Sequence, residues 1–323
     1  MTTNKTYDVA VIGAGVIGTS CAYHLVRKGL SVALIDRNNV ARGTSSHCDA
    51  VALIVDKQPG VDAALGYASI QRFLELQNEL DYDFELHQRG CLYACDTEQE
   101  MEVAAQYAKD MQADGYNVNA LSPKELLEHE PFLAKDLVGG LFSNIDLGLN
   151  PYKLCFSFVD TVLGKGLDLY TYTDVTGIRL DEEKRVQGVE TDKGFIPCGK
   201  VVNACGVWSP VIGRMVGVEI PVEPRKGVIL VSAPSFKFCN QKVQEFGYMI
   251  SKFSNYECKR DPELEKYEVS FVIEPTDANN VLIGSSRNFA GFDISTEIEI
   301  AHVIANHFLL LFLVLLYLLL DYL

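Results

Sequence analysis

YDVAVIGAGVIGTSCAYHLVRKGLSVALID, residues 7–36, is the stretch whose reading decides the fold. Tyr7 to Ile12 is an apolar run of strand length. Gly13, Gly15 and Gly18 follow at once in the pattern GxGxxG. Thr19 to Lys28 is predicted as a helix with Ala22, Leu25 and Val26 on one side, and Gly29 falls where a helix C-terminus is expected. Ser31 to Asp36 is a second strand that finishes in an acid. Together these pieces form one strand–helix–strand half of a doubly wound α/β sheet.

Each part of the motif has a mechanical reason. Gly13 permits a tight strand-to-helix turn, Gly15 has no side chain to block a diphosphate, and Gly18 lets the helix lie close to the sheet. The helix entrance then presents unpaired N–H groups and the positive end of its dipole to the phosphates. Asp36 is placed to accept hydrogen bonds from the adenosine ribose, and a carboxylate there disfavours the 2′-phosphate of NADP. The motif implies a dinucleotide and does not by itself separate FAD from NAD.

Bulk properties narrow the partners. The 323 residues are enough for about two domains with a sizeable core. With 28 Lys and Arg against 43 Asp and Glu, the formal net charge is −15. That balance disfavours nucleic acid and anionic membrane surfaces, which recruit basic side chains. Nine cysteines at irregular spacing, with no leader peptide expected before them, fit a reducing cytoplasmic setting. Cys91 and Cys95 are too far apart for a CxxC site and lack a second pair to complete a zinc centre, so they read as strand-end thiols and no metal is expected. His24 and His129 read as ordinary helix residues, the latter as a solvated helix end.

Two further segments separate FAD from NAD. After Asp36 the chain enters Arg42-Gly43-Thr44-Ser45-Ser46 instead of a crossover helix. Small hydroxyl residues and glycine can approach a phosphate closely and donate to it. A helix is predicted from about Val61 to Leu80. Farther on, Lys200 to Ser209 reads KVVNACGVWS, a strand entering a close turn lined by small residues, and two strands flank DEEKR between Leu169 and Gly188. Val175 lies in the first of these, where a backbone group would meet an adenine ring. Ligand-type pieces near residues 13, 45, 175 and 205 are more scattered than a compact NAD domain would have them.

DVAVIGAGVIGTSCAYHLVRKGLSVALID, GTSSHCD and VVNACGVWS together resemble the FAD-dependent D-amino acid oxidase superfamily, which includes sarcosine and glycine oxidases and the hydroxyproline and opine dehydrogenases. The resemblance spans about residues 7–300, and the GTSS-plus-CD loop resembles the bacterial amine and opine dehydrogenase branch more than the animal oxidases. It implies a Rossmann-like FAD domain over about 1–80 and 145–218. It also implies an α+β substrate domain over about 81–144 and 219–305, built on an antiparallel sheet. The chain is compatible with this. Arg89–Cys95, Val228–Ser232, Val269–Ile273 and Asn280–Gly284 read as strands, Glu98–Gly115 as an amphipathic helix, and Ser122-Pro123-Lys124-Glu125 as a helix start.

Carried over residue by residue, the resemblance assigns FAD to Gly13, Gly15, Val16, Gly18, Asp36, Arg37, Gly43, Thr44, Ser45, Ser46, Val175, Ala204, Gly206 and Trp208. It implies oxidation of a C–N bond by hydride transfer to flavin N5, with a small amino acid or amine as substrate and an electron acceptor or partner subunit beside it. Tyr248 and Arg287 are the candidate catalytic wall residues; Arg287 either points into a cavity to hold a substrate carboxylate or is a solvated turn arginine. Arg225 and Lys226 precede a strand and are candidates for the flavin ring's surroundings. His47 and Cys48 sit in the loop beside the flavin, and some relatives attach flavin through a histidine.

The C-terminus departs from the family. Residues 307–323 read HFLLLFLVLLYLLLDYL, where the family continues with a segment like GxRPxTPDGxPxxG and a last helix. Leu309–Leu320 gives 12 apolar residues, short of the roughly 20 that span a bilayer. Residues 306–323 are therefore expected to form an atypical apolar tail. Either a reading-frame change near residue 308 replaced the usual end, or the tail is a genuine membrane- or partner-facing helix. The second functional reading follows from this: a catalytically silent FAD-binding remnant.

Overall fold

The computed structural model describes residues 5–247, 249 and 262–312. The described chain divides into two compact units. The first takes residues up to 48, 75–85 and 149–223; the second takes 49–74, 86–148 and the described residues from 224 onward.

The first unit is built on a parallel sheet in the order Val201–Asn203, Val9–Ile12, Val32–Ile35, Leu167–Tyr170. Val9–Ile12 and Val32–Ile35 are buried along their whole length, as expected of central parallel strands covered on both faces. The helix Val16–Arg27 begins three residues earlier than its apolar face indicates, because the chain passes straight from the glycine turn into helical geometry with Gly15 as N-cap. It ends as read: Lys28 donates its N–H to the last turn and Gly29 follows with φ +85°. A second helix, Pro151–Val162, packs on it and buries Leu154, Cys155 and Phe158. An antiparallel trio, Gly194–Pro197, Val186–Thr191 and Val175–Leu180, includes the hairpin around DEEKR.

The second unit carries a seven-stranded sheet in the order Ile229–Val231, Val281–Gly284, Val272–Pro275, Lys242–Glu245, Cys91–Cys95, Gly139–Ser143, Val118–Leu121. It is antiparallel as expected except at its centre, where Lys242–Glu245 runs parallel to Cys91–Cys95. The long stretch of chain between those strands supplies the crossover that a parallel pair needs. Alternation splits the sheet into two faces. Leu92, Ala94, Val243 and Ile273 pack with Ile300, Ile304, Phe308 and Leu311 of the helix Ile298–Leu311. Cys91 and Cys95 lie on the other side of the pleat, buried, with burial pushing both thiols up. Ser122 and Glu125 close a reciprocal capping box with Pro123 in the first turn, as the sequence indicates. His129 is not merely solvated: its ring lies against Phe142 with centroids 4.3 Å apart.

The units differ from the sequence reading by up to five residues at 81–85, 145–148 and 219–223, and by more at two places. Residues 49–74 group with the second unit because Val51–Ala52 pairs with Leu147–Gly148 and the Asp146 carboxylate accepts the Ile54 N–H. Residues 306–312, read as the start of a tail, are a helix end seated in the core: Phe308, Leu311 and Phe312 are all buried. Residues 313–323 lie outside the described residues.

Asp146 is fully buried, and burial pushes its carboxyl up to about 7 against the opposing hydrogen bonds from Ile54 and Val55. The folded state therefore binds a proton that the unfolded chain gives up near the ordinary carboxylate value. Stability from this group is complete at low pH and is lost as pH rises toward 7. Asp146→Asn should flatten the fall in unfolding free energy between about pH 4 and pH 7, measured by urea titration at several pH values. An unchanged profile would show that Asp146 does not carry the dependence.

Candidate functional site

The glycine turn is dictated by contact distances. A Cβ on Gly18 would lie 1.8 Å from the Gly13 carbonyl oxygen, and one on Gly13 would lie 2.4 Å from that of Ala204. Gly13 also has φ +101°, a conformation that glycine adopts without penalty. These two residues are needed for the backbone to close on itself. Gly15 is different, because a Cβ there would meet only the Ser45 Oγ, at 3.1 Å. Its open side is the approach to the helix entrance. Gly43 and Gly206 have nothing within 4 Å of an added Cβ, so two more turns expose bare backbone.

The helix Val16–Arg27 has no acidic residue in its first turn and no side-chain cap from Gly15. Its positive end is thus uncancelled by its own sequence. The Val16 N–H donates to Ser45 Oγ at 2.9 Å, which brings the Gly43–Ser46 loop onto the entrance. That loop forms a single 3-10 turn over Thr44–Ser46, in contact with the helix Pro151–Val162. Behind it lies the buried Cys155, whose thiol is raised to about 11 by burial, against hydrogen bonds from Thr19 and Ser45. Sequence reasoning missed Cys155 because it comes from a helix more than a hundred residues downstream.

Asp36 ends its strand with one carboxylate oxygen accepting the Ala14 N–H at 2.7 Å and the other accepting the Asn38 N–H at 2.7 Å. Each oxygen keeps a lone pair for a ribose hydroxyl. Arg37 lies over the Trp208 ring at 3.9 Å, which joins two of the assigned residues from distant segments. Ala204 donates its N–H to Ile12 and its Cβ sits 3.3 Å from the position a Gly18 Cβ would take. Val175 packs in the cluster with Ile12 and Ile35, beneath the strand ends. The arrangement fits the ADP half of a dinucleotide: bare backbone at three turns, an uncancelled helix entrance, hydroxyls beside it and a carboxylate at the next strand tip.

The remaining assigned residues fall elsewhere. Tyr248 lies outside the described residues. Arg287 is half-buried in the second unit, with its backbone N–H donating to the Tyr267 carbonyl. Arg225 pairs with Glu268, and Lys226 donates to Asp293 at 2.8 Å and to the Ser295 carbonyl at 3.0 Å. Both cations serve contacts within the second unit. The His47 ring is held by its own loop, with Nδ1 2.9 Å from the Gly43 carbonyl oxygen and 3.0 Å from Ser46 Oγ. Among the described residues, no helix is long and apolar enough to cross a membrane.

Comparison with known proteins points the same way. The FAD dependent oxidoreductase family, DAO, matches residues 8–314. The chain is 28% identical to hydrogen cyanide synthase subunit HcnC of Pseudomonas protegens, covering 90% of this chain and 74% of that protein. It is 31% identical to mitochondrial sarcosine dehydrogenase of Homo sapiens across 68% of this chain, which is 24% of the human protein. The crystal structure of glycine oxidase from Geobacillus kaustophilus superposes with a TM-score of 0.78 at 25% identity, covering 95% of this chain and 78% of that one.

Proposed function

The chain belongs to the FAD dependent oxidoreductase family, with FAD as its cofactor, and from that membership we propose that it oxidises the C–N bond of an amino acid or secondary amine. The observation that carries the cofactor half is the cradle around Gly15, with Asp36 at the adjoining strand tip. Support for the substrate half comes from relatives named for glycine and sarcosine, an amino acid and its N-methyl derivative. When bound, FAD supplies an acceptor for the hydride leaving the carbon beside the nitrogen.

The chain's own residues divide the remaining work. The helix entrance at Val16 and the hydroxyls of Thr44, Ser45 and Ser46 hold the diphosphate, and Asp36 holds the ribose. Arg287 is the group proposed to hold a substrate carboxylate, because a guanidinium fork matches two oxygens. Likeness to a protein named as a subunit supports a partner subunit; a separate electron acceptor and a cytoplasmic setting are proposed beside it.

Anaerobic addition of glycine, sarcosine, proline, hydroxyproline and D-amino acids to the yellow protein tests this reading. At least one should bleach the flavin absorbance. Arg287→Ala should raise the concentration needed for half-bleaching by about tenfold or more, as expected from losing a charge-assisted pair. A flavin that dithionite reduces but none of these compounds does would refute amine oxidation.

A further inference from the structure

Behind the helix entrance, three segments of the first unit meet at one thiol. Cys155, on the helix Pro151–Val162, is fully buried and hydrogen-bonded to the side chains of Thr19 and Ser45. Thr19 is equally buried, and its hydroxyl donates back along its own helix to the Gly15 carbonyl at 3.0 Å. Ser45 is half-buried, and its Oγ accepts the Val16 N–H at 2.9 Å. The network therefore runs from Thr19 through Cys155 to Ser45 Oγ, the atom nearest an added Gly15 Cβ.

The proton count limits what this network can do. A serine hydroxyl has one hydrogen to give and two lone pairs to fill. The Val16 N–H occupies one lone pair of Ser45. If Ser45 gives its hydrogen to the sulfur, it turns a lone pair toward the entrance, and a lone pair repels a phosphate oxygen. If the thiol donates to Ser45 instead, both lone pairs are filled from behind and the hydroxyl hydrogen points outward. Burial raises the thiol to about 11, so it keeps its proton at neutral pH and has one to donate. Thr19 can then turn its hydroxyl to the sulfur without stranding the Gly15 carbonyl, which still accepts the Thr19 backbone N–H at 2.9 Å. All three hydrogens then run in one direction, an arrangement in which each bond strengthens the next.

We propose that Cys155 is a positioning residue for FAD: by donating its S–H to Ser45 Oγ, with Thr19 behind it, it aims the Ser45 hydroxyl at the cofactor's diphosphate. The inference rests on the placing of the diphosphate at this entrance and is independent of which substrate is oxidised.

Fluorescence titration of the apoprotein with FAD tests it, on full-chain variants that separate donation from packing. Cys155→Val is apolar, of similar bulk, and cannot donate. It should bind FAD about fivefold more weakly, the scale of one neutral hydrogen bond. Cys155→Ser is smaller and more polar but still donates, so it should bind FAD more tightly than Cys155→Val; packing alone would reverse that order. In a Ser45→Ala background, with no hydroxyl left to aim, Cys155→Val should weaken binding no further. Thermal unfolding of each apoprotein reports whether it is folded, and Cys155→Ala, which also lacks a donor, replaces Cys155→Val if the branched side chain does not fit. Wild-type affinity in the non-donating variant would overturn the proposal, as would weaker binding by Cys155→Ser than by Cys155→Val. So would an equal loss with and without the Ser45 hydroxyl. Were Ser45→Ala itself to bind FAD as well as the wild type does, the placing of the diphosphate beside Ser45 would fall along with it.

Discussion

Gly18→Ala is expected to be strongly destabilised and to carry no flavin, whereas Gly15→Ala should keep its stability and bind FAD poorly. The two residues share one motif, and their surroundings explain the split. A methyl at Gly18 would lie 1.8 Å from the Gly13 carbonyl oxygen and 3.3 Å from the Ala204 Cβ. The first of these is backbone, so relief requires moving either the turn or the whole helix. Overpacking commonly costs about 1–3 kcal/mol, and an overlap with backbone this deep belongs at or above the upper end. Against a total stability of about 5–15 kcal/mol, that removes a large share of the margin, and the shift of turn or helix that relieves the overlap also spoils the geometry that receives FAD. At Gly15 the nearest atom is Ser45 Oγ, the end of a short side chain, and φ is −77°. The methyl there is tolerated by the fold and stands in the diphosphate's approach. Thermal unfolding and flavin absorbance per polypeptide distinguish the outcomes. Equal stability losses in the two variants would mean that the glycine turn is not closed by the contacts described.

This split marks where the sequence is legible. The steric demand on Gly18, which meets the Gly13 carbonyl, and the placement of Asp36 arise within thirty consecutive residues, so spacing alone reveals them, whereas the space around Gly13 is closed by Ala204 from a distant strand end. The loop hydroxyls at 44–46 are legible for the same reason. Lys242 is not: it acts on Asp49 across 193 positions, and a lysine beginning a strand reads as a solvent-facing residue until its neighbours are known. The division of the chain after Cys48 depends on Asp146 and Glu274, which nothing near residue 50 announces. Cys155 is hidden in the same way, as a small apolar residue on a helix face. Local geometry is written locally, and the contacts that tie residues 49–54 to the second unit are written in residues that meet only after folding.

The apolar run after His307 poses the opposite difficulty, since periodicity vanishes when every position is apolar. Burial restores it. Phe308 is 3% exposed, Leu311 is 6%, and Leu310 is 71%. Phe308 stacks on Phe271 with centroids 6.1 Å apart and on Phe312 at 5.7 Å. Ala134 donates its N–H to the Leu311 carbonyl at 2.9 Å, fastening the helix end to a loop of the same unit. His307, on the same helix, reaches Glu245 on the central strand at 2.7 Å. Phe308→Ala should therefore cost about 3–5 kcal/mol, the range for deleting a buried aromatic ring. Leu310→Ala should stay within about 0.5 kcal/mol, as for a surface change that touches no special feature. Urea unfolding followed by circular dichroism measures both. Two equally mild variants would mean that residues 308–312 add nothing to the core of the second unit. Two equally severe ones would mean that the exposed face at Leu310 is covered. The expected asymmetry makes the first residues of this run part of the second unit's core, since a segment that merely trailed from the fold would not distinguish one hydrophobic side chain from the next.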